Sequence, residues 1–188
     1  MRPAVFLDRD GTLIEDADYL RRLDQLTLLP WTVDALRLLT RSGFAAVVVT
    51  NQSGVARGIV TEDFVRETHA VLDARLAAGG ARVDAYYYCP HHPDAAIDQY
   101  RRQCRCRKPA AGMIEEAASD LALDLSQSWM VGDRWRDIEA GRNAGVRSIL
   151  VRSGAARSGQ IAPGDGADAI LNNLMEAVGW ILRASTSR

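Results

Sequence analysis

Lysine is nearly missing from this chain. Of its 23 basic residues only Lys108 is a lysine, the rest being arginine. Where guanidinium serves as the surface cation throughout, a lone lysine marks a place that calls for a compact ammonium, a point charge among oxygens. Long hydrophobic runs are missing too. The longest uninterrupted one, Phe44–Val49, falls far short of the roughly 20 residues of a membrane span. Cysteine is scarce and odd in number, three residues at Cys89, Cys104 and Cys106, which makes a poor disulfide framework. Charge of one sign is also lacking, and a net charge of −1 gives no long-range pull towards nucleic acid or anionic membrane. The first apolar run starts almost at the amino terminus, leaving no room for a signal peptide, so a cytoplasmic location is expected. The 188 residues suit one domain, 1–188, with 47% hydrophobic and 25% charged content ordinary for a globular protein.

What is present concentrates in Phe6-Leu7-Asp8-Arg9-Asp10-Gly11-Thr12-Leu13. Ala4–Leu7 reads as a buried strand that stops at two acids one residue apart, followed by Gly-Thr. Two carboxylates delivered together to the edge of a sheet repel each other and are costly to desolvate unless a divalent cation and a chemical task justify them. The bland alternative is a turn or a calcium loop, but the Asp-x-Asp-x-[Asp/Asn]-Gly pattern with its distal Glu is not matched.

Strand and helix signals then alternate to the end of the chain. Helical spacing over Trp31–Arg41 is stopped by Gly43, and Ala45–Val49 reads as a second strand ending at Thr50-Asn51-Gln52-Ser53-Gly54. Thr61 is the expected N-cap of a long helix closed by Gly79-Gly80. Strands are expected at Val83–Tyr88, Trp129–Val131, Val146–Val151 and Ala169–Leu171. Helices are expected at Met113–Leu123, Trp135–Ala144 and Leu174–Leu182, with Lys108-Pro109 opening a helical segment. Residues 152–168, rich in Ser, Gly, Ala and Pro, read as a mobile loop. His69 is expected as a partly exposed packing residue on its helix. The alternation predicts a three-layer α/β domain with a mainly parallel, Rossmann-like sheet.

Cys89-Pro90-His91-His92-Pro93 and, further on, Cys104-Arg105-Cys106 offer three thiolates and one imidazole. That is a closed tetrahedral zinc set of the structural kind. His91 is the preferred fourth ligand and His92 the alternative; free thiols without metal are the bland reading.

Every unusual polar cluster lies where a strand ends. Asp8-Arg9-Asp10-Gly11-Thr12, Val49-Thr50-Asn51, Lys108-Pro109 and Val131-Gly132-Asp133 with Asp137, taken in order, resemble the motifs of the haloacid dehalogenase (HAD) superfamily of phosphotransferases. The resemblance implies that Asp8 forms an aspartyl-phosphate and that Asp10 protonates the leaving alkoxide and then activates water. It implies Mg²⁺ at Asp8, Asp10 (through its backbone carbonyl) and Asp133. Thr50, Asn51 and Lys108 would stabilise the transferring phosphoryl group. Asp137 would orient Lys108 or the metal shell, or simply cap the helix that follows.

The zinc loop narrows the resemblance to two related groups, heptose bisphosphate 7-phosphatases and histidinol-phosphate phosphatases. Thr50-Asn51-Gln52-Ser53-Gly54-Val55-Ala56-Arg57-Gly58 and the long zinc loop look like the heptose group. The cationic residues Arg57, Arg101, Arg102, Arg105 and Arg107 suit a second phosphate and disfavour an ammonium substrate. Arg107 is the candidate for the 1-phosphate, with Asp16, Tyr19 and Arg134 as further substrate contacts. Arg134, Asp18 and Trp31 depart from the group's usual residues. The expected partner is thus a small sugar bisphosphate, handled by a monomer with an open mouth and no separate cap domain. A zinc-stabilised binding module on an inactive phosphatase fold is the non-enzymatic alternative.

Overall fold

The structure, a computed structural model, describes residues 1–154 and 166–186. Six apolar runs form its strands: β1 (Ala4–Leu7), β2 (Ala45–Asn51), β3 (Ala85–Cys89), β4 (Trp129–Gly132), β5 (Arg147–Val151) and β6 (Ala169–Leu171). They lie in the order β3-β2-β1-β4-β5-β6, and each neighbouring pair is parallel. The strand order reverses at β1, between β2 and β4. At such a switch point a crevice opens beyond the carboxyl ends of the strands, where ligands bind in open α/β sheets.

Helices α1 (Thr32–Arg41), α2 (Ser53–Ala56), α3 (Glu62–Ala78), α4 (Gly112–Asp120), α5 (Trp135–Asn143) and α6 (Leu174–Thr186) connect and flank the sheet. Alternate residues of a strand point to opposite faces. Val5 and Leu7 meet Leu36 and Leu39 of α1, Leu72 of α3 and Val178 of α6. Ala4 and Phe6 meet Met113 and Ile114 of α4 and Ala140 of α5 on the other face. With both faces covered, the central strands read as continuous apolar runs, as parallel strands do. Each buried leucine contributes on the order of 1.5–3 kcal/mol to holding these layers together.

Local chemistry sets the element ends. The Thr61 hydroxyl accepts from Phe64 N at 3.1 Å to start α3, and Gly80, with φ 71°, turns the chain away after it. Several expected boundaries shift. β3 begins at Ala85 rather than Val83, because Asp84 is tied to Ala46 through backbone and side chain (Asp84 N to Ala46 O 2.7 Å, Ala46 N to Asp84 Oδ2 2.9 Å). α4 stops at Asp120 rather than Leu123. Ala122 adopts φ 50° and Leu123 N reaches back to Ala118 O at 3.0 Å, a left-handed helix end made without glycine.

Lys108-Pro109 does not open the helix. The chain turns there, with Ala110 N bonded to Arg107 O at 2.9 Å, and becomes helical only at Gly112. His69 is buried, only 6% exposed, not partly exposed as its sequence setting suggested. Of the expected 152–168 loop, residues 155–165 lie outside the described residues. Among the described residues no cap domain interrupts the layers, and no helix is long and apolar enough to cross a membrane.

Candidate active site

β1 and β4 are adjacent, with Leu7 paired to Val131, so the residues that follow them emerge side by side. Asp8 continues the ladder through its N–H to Val131 O at 3.0 Å. Asp133 follows β4, and Asp137 stands one turn into α5. All three carboxylates are buried, with ligand oxygens within 4.8 Å of one another. Into this group comes Lys108, whose Nζ lies 2.9 Å from Asp8 Oδ1, 2.6 Å from Asp137 Oδ1 and 2.7 Å from Val49 O. The Val49 carbonyl accepts a hydrogen bond from the ammonium, and the two carboxylates pair with its charge.

Asp137 performs both duties that its position in the sequence left open. One oxygen meets Lys108, and the other accepts from Arg134 N at 2.9 Å at the start of α5.

These contacts separate the groups electrostatically. Burial pushes Asp8 up, but the Lys108 charge and hydrogen bond, with Arg136 and the Arg9 N–H behind them, hold it below the usual carboxylate range. For Asp137 burial wins over Lys108, and its carboxyl is raised. Burial opposes the charge on Lys108, yet Asp137 and Asp8 overcome it and keep the ammonium charged.

Asp8, Asp133 and Asp137 crowd their oxygens together around Lys108, with Arg134 Nε 3.9 Å from Asp133 Oδ2, and such a set of oxygens could hold a hard divalent cation. The space around Asp133 fits that reading. A Cβ added at Gly11 would stand 2.5 Å from Asp133 Oδ2, and one added at Gly154 would stand 2.2 Å from it. The carboxylate therefore sits between two bare Cα atoms. Ser153 Oγ donates to Gly11 O at 2.7 Å and holds the end of β5 against the β1 turn.

The end of β2 supplies the next layer. The Asn51 side chain donates to Lys108 O and accepts from Lys108 N, both at 3.0 Å. It makes the two bonds a neighbouring strand would make, and so fixes the Lys108 backbone. Thr50 Oγ1 accepts from Gln52 Nε2 at 2.9 Å, which leaves its O–H to donate. Gln52 Nε2 also reaches Asp10 Oδ2 at 3.0 Å. Arg9, almost entirely buried, grips both Asp10 oxygens (Nε to Oδ2 3.2 Å, Nη2 to Oδ1 3.1 Å). The Asp10 side chain stays 28% exposed, facing the opening.

That opening is a polar cavity of about 160 Å³ lined by Asp8, Asp10, Thr50 and Asn51 within and by Asp16, Tyr19 and Arg134 at its mouth. Pockets that enclose a small ligand start at roughly 300 Å³. Arg134 Nη2 meets Asp16 Oδ2 at 2.7 Å across the mouth. Arg107 is not among the cavity's lining residues. Its Nη1 donates to His91 O at 3.0 Å, within the cysteine-histidine loop.

In that loop Cys89, His91, Cys104 and Cys106 converge. Cys106 Sγ lies 3.2 Å from both Cys89 Sγ and Cys104 Sγ, and His91 Nδ1 lies 3.4 Å from Cys106 Sγ and 3.7 Å from Cys89 Sγ. Tetrahedral zinc with Zn–S near 2.3 Å needs ligands about 3.8 Å apart, so this donor set fits zinc with slight expansion. His92 faces away and accepts from Asp94 N at 3.1 Å, which favours His91 as the fourth ligand. The hydrogen bond shared with Cys89 pulls the Cys106 thiol down to about 5, favouring the thiolate that a metal takes. The loop is anchored by Tyr100 Oη to Glu62 Oε1 at 2.8 Å and by Ala96 N and Ile97 N on Ala56 O at 3.0 and 3.1 Å.

A family model described as HAD-hydrolase-like matches residues 105–177. The chain is 41% identical over 177 residues to the D-glycero-β-D-manno-heptose-1,7-bisphosphate 7-phosphatase of Yersinia pestis, covering 93% of this chain and 92% of that one. The enzyme of the same name from Escherichia coli (strain K12) is 41% identical over 175 residues, covering 93% and 91%. This chain belongs to the heptose-bisphosphate phosphatase family of HAD hydrolases. As a HAD phosphatase it is a phosphoric monoester hydrolase. Its backbone superposes with a TM-score of 0.84 on the D,D-heptose 1,7-bisphosphate phosphatase of B. bronchiseptica, solved with magnesium and phosphate (32% identity, 97% and 99% of the two chains). The corresponding phosphatase of Burkholderia thailandensis matches at 0.70 (26% identity, 96% and 99%).

Within this HAD phosphatase, Asp8, Asp10, Thr50, Asn51 and Asp133 come together as their positions after the strands suggested, and Lys108, singled out by its rarity, joins them. Four contributors escaped the sequence reading. Gln52 and Arg9 were visible inside motifs but had no assigned task. Arg136 gave no signal beyond its charge. Gly154 lay in a stretch where small residues read only as loop.

Proposed function

We propose that this HAD phosphatase removes the 7-phosphate of D-glycero-β-D-manno-heptose 1,7-bisphosphate through an aspartyl-phosphate at Asp8. The observation that carries this is the 41% identity to heptose-bisphosphate phosphatases along nearly the whole of both chains. The geometry supports the chemistry. Asp8 stands at the cavity floor with its charge maintained by Lys108, as a carboxylate nucleophile requires. Asp8, Asp133 and the Asp10 carbonyl would hold Mg²⁺, which supplies the positive charge that lets an anionic nucleophile meet an anionic ester.

As charge leaves Asp8 for the phosphoryl oxygens, the Lys108 N–H now on Asp8 follows it, and the Thr50 O–H and Asn51 N–H add donors. Asp10, exposed at the opening and oriented by Arg9 and Gln52, gives its proton to the departing 7-oxygen. It then takes one from the water that attacks the acyl phosphate. The Cys89, His91, Cys104, Cys106 set would hold structural zinc. Arg107 beyond it would meet the distal phosphate, after release from the His91 carbonyl. Residues 1–188 would act as a single, monomeric cytoplasmic unit in the making of heptose nucleotides.

Phosphate release from the bisphosphate with Mg²⁺, with the retained phosphate located by ³¹P NMR, tests this directly. The expected product keeps its 1-phosphate, and Asp8→Asn should lose at least about 10³-fold in rate. Equal or faster turnover of histidinol phosphate would overturn the substrate, and an active Asp8→Asn enzyme would overturn the covalent route.

A further inference from the structure

One buried polar side chain behind the catalytic residues, His69, has had no task so far. Arg9 spends three of its five donors on Asp10 and on Gln52 Oε1, the latter at 3.0 Å. A further donor, Nη1, points away from the cavity to His69 Nε2 at 3.3 Å. An arginine cannot lose its proton, so His69 must present a neutral, accepting Nε2.

The surroundings enforce that state. The His69 ring is stacked on Tyr86, centroids 4.5 Å apart at 16°, and edged by Tyr88 at 5.9 Å and 67°. Burial, with the Arg9 charge beside it, pulls the imidazole down to about 3. The two tyrosines are themselves pinned to α3, Tyr86 Oη to Asp73 Oδ1 at 2.6 Å and Tyr88 Oη to Glu62 Oε2 at 2.7 Å. A rigid acceptor therefore fixes one end of the guanidinium while the other end aims Asp10.

We propose that His69 is a positioning residue for proton transfer, setting the Asp10 carboxyl through Arg9. This rests on Asp10 being the general acid. A carboxyl is held where a leaving oxygen needs it only if its partner cannot pivot, and such outer partners are worth about 10- to 100-fold. Losing the Nε2 acceptor leaves a buried Arg9 donor unsatisfied and lets the fork rotate towards solvent.

The test compares kcat/KM, which reports the steps up to aspartyl-phosphate formation, for two esters: the heptose bisphosphate, whose alkoxide must be protonated as it leaves, and p-nitrophenyl phosphate, whose phenolate need not be. His69→Phe keeps the ring and removes the acceptor. It should lower kcat/KM roughly tenfold for the sugar ester and under about twofold for the aryl ester. His69→Gln, which restores an acceptor, should recover most of the loss. An equal fall for both esters, or a Gln variant no better than Phe, overturns the proposal. Asp10→Asn is run on the same pair. Without its own larger bias against the sugar ester, the acid role of Asp10 fails; with that bias but none in His69→Phe, only the His69 inference fails.

Discussion

Mild acid should weaken this protein through one imidazole. His69 is buried against Tyr86 beside the Arg9 guanidinium, and burial together with that charge brings it from an ordinary 6.5 down to about 3. The folded value is depressed, so the stabilising neutral ring is fully present above about pH 6.5. Below that the unfolded chain takes up a proton that the folded one refuses. Stability falls until about pH 3, where the folded imidazole protonates too. At 1.36 kcal/mol per unit, the step from about pH 7 to about pH 5 costs about 2 kcal/mol from this group. Urea unfolding at both pH values, on the wild type and His69→Phe, isolates it. Protonation of the cysteine-histidine loop affects both proteins alike and cancels in the difference. The wild type should lose about 2 kcal/mol more than the variant over that interval. Parallel losses in the two proteins would refute a buried neutral imidazole.

Two further perturbations address other parts of the molecule. Stripping zinc with a chelator, or Cys106→Ser, should lower the melting temperature while Mg²⁺-dependent turnover of the remaining folded protein persists; unchanged melting after demetallation contradicts a structural metal. Gly154→Ala brings a methyl group to 2.2 Å from Asp133 Oδ2 and must displace that carboxylate. It should raise the Mg²⁺ concentration needed for half-maximal activity at least about tenfold, and an unaltered Mg²⁺ titration removes Asp133 from the metal site.

Much of this site was legible because each polar cluster follows an apolar run in the chain. A strand end is a local event, and a parallel sheet collects such ends on one edge. Asp8, Thr50, Asn51 and Asp133 could be placed together on that ground alone. Lys108 was legible by rarity. What escaped depends on encounters between distant positions. His69 sits 60 residues from Arg9, and nothing beside it in the sequence says that its ring will be stacked on Tyr86. Gly154 is informative only once Asp133 is known to pass against its Cα. Lys108-Pro109 was misread as a helix opening for a similar reason. Gly112 must lie against the Arg105 carbonyl, where a Cβ would come within 2.3 Å, and that contact, more than Lys108-Pro109, marks where the helix can begin.

The Asn51 amide on the Lys108 peptide has a consequence for how this enzyme can vary. Because the Lys108 peptide is moored to β2 by a side chain, its location has a support other than the path taken by the chain from Cys89 onward. A change in the length of that excursion or in its arginines leaves this mooring beside Asp8 in place. The residues at the rim and those at the floor are thus held by different parts of the chain.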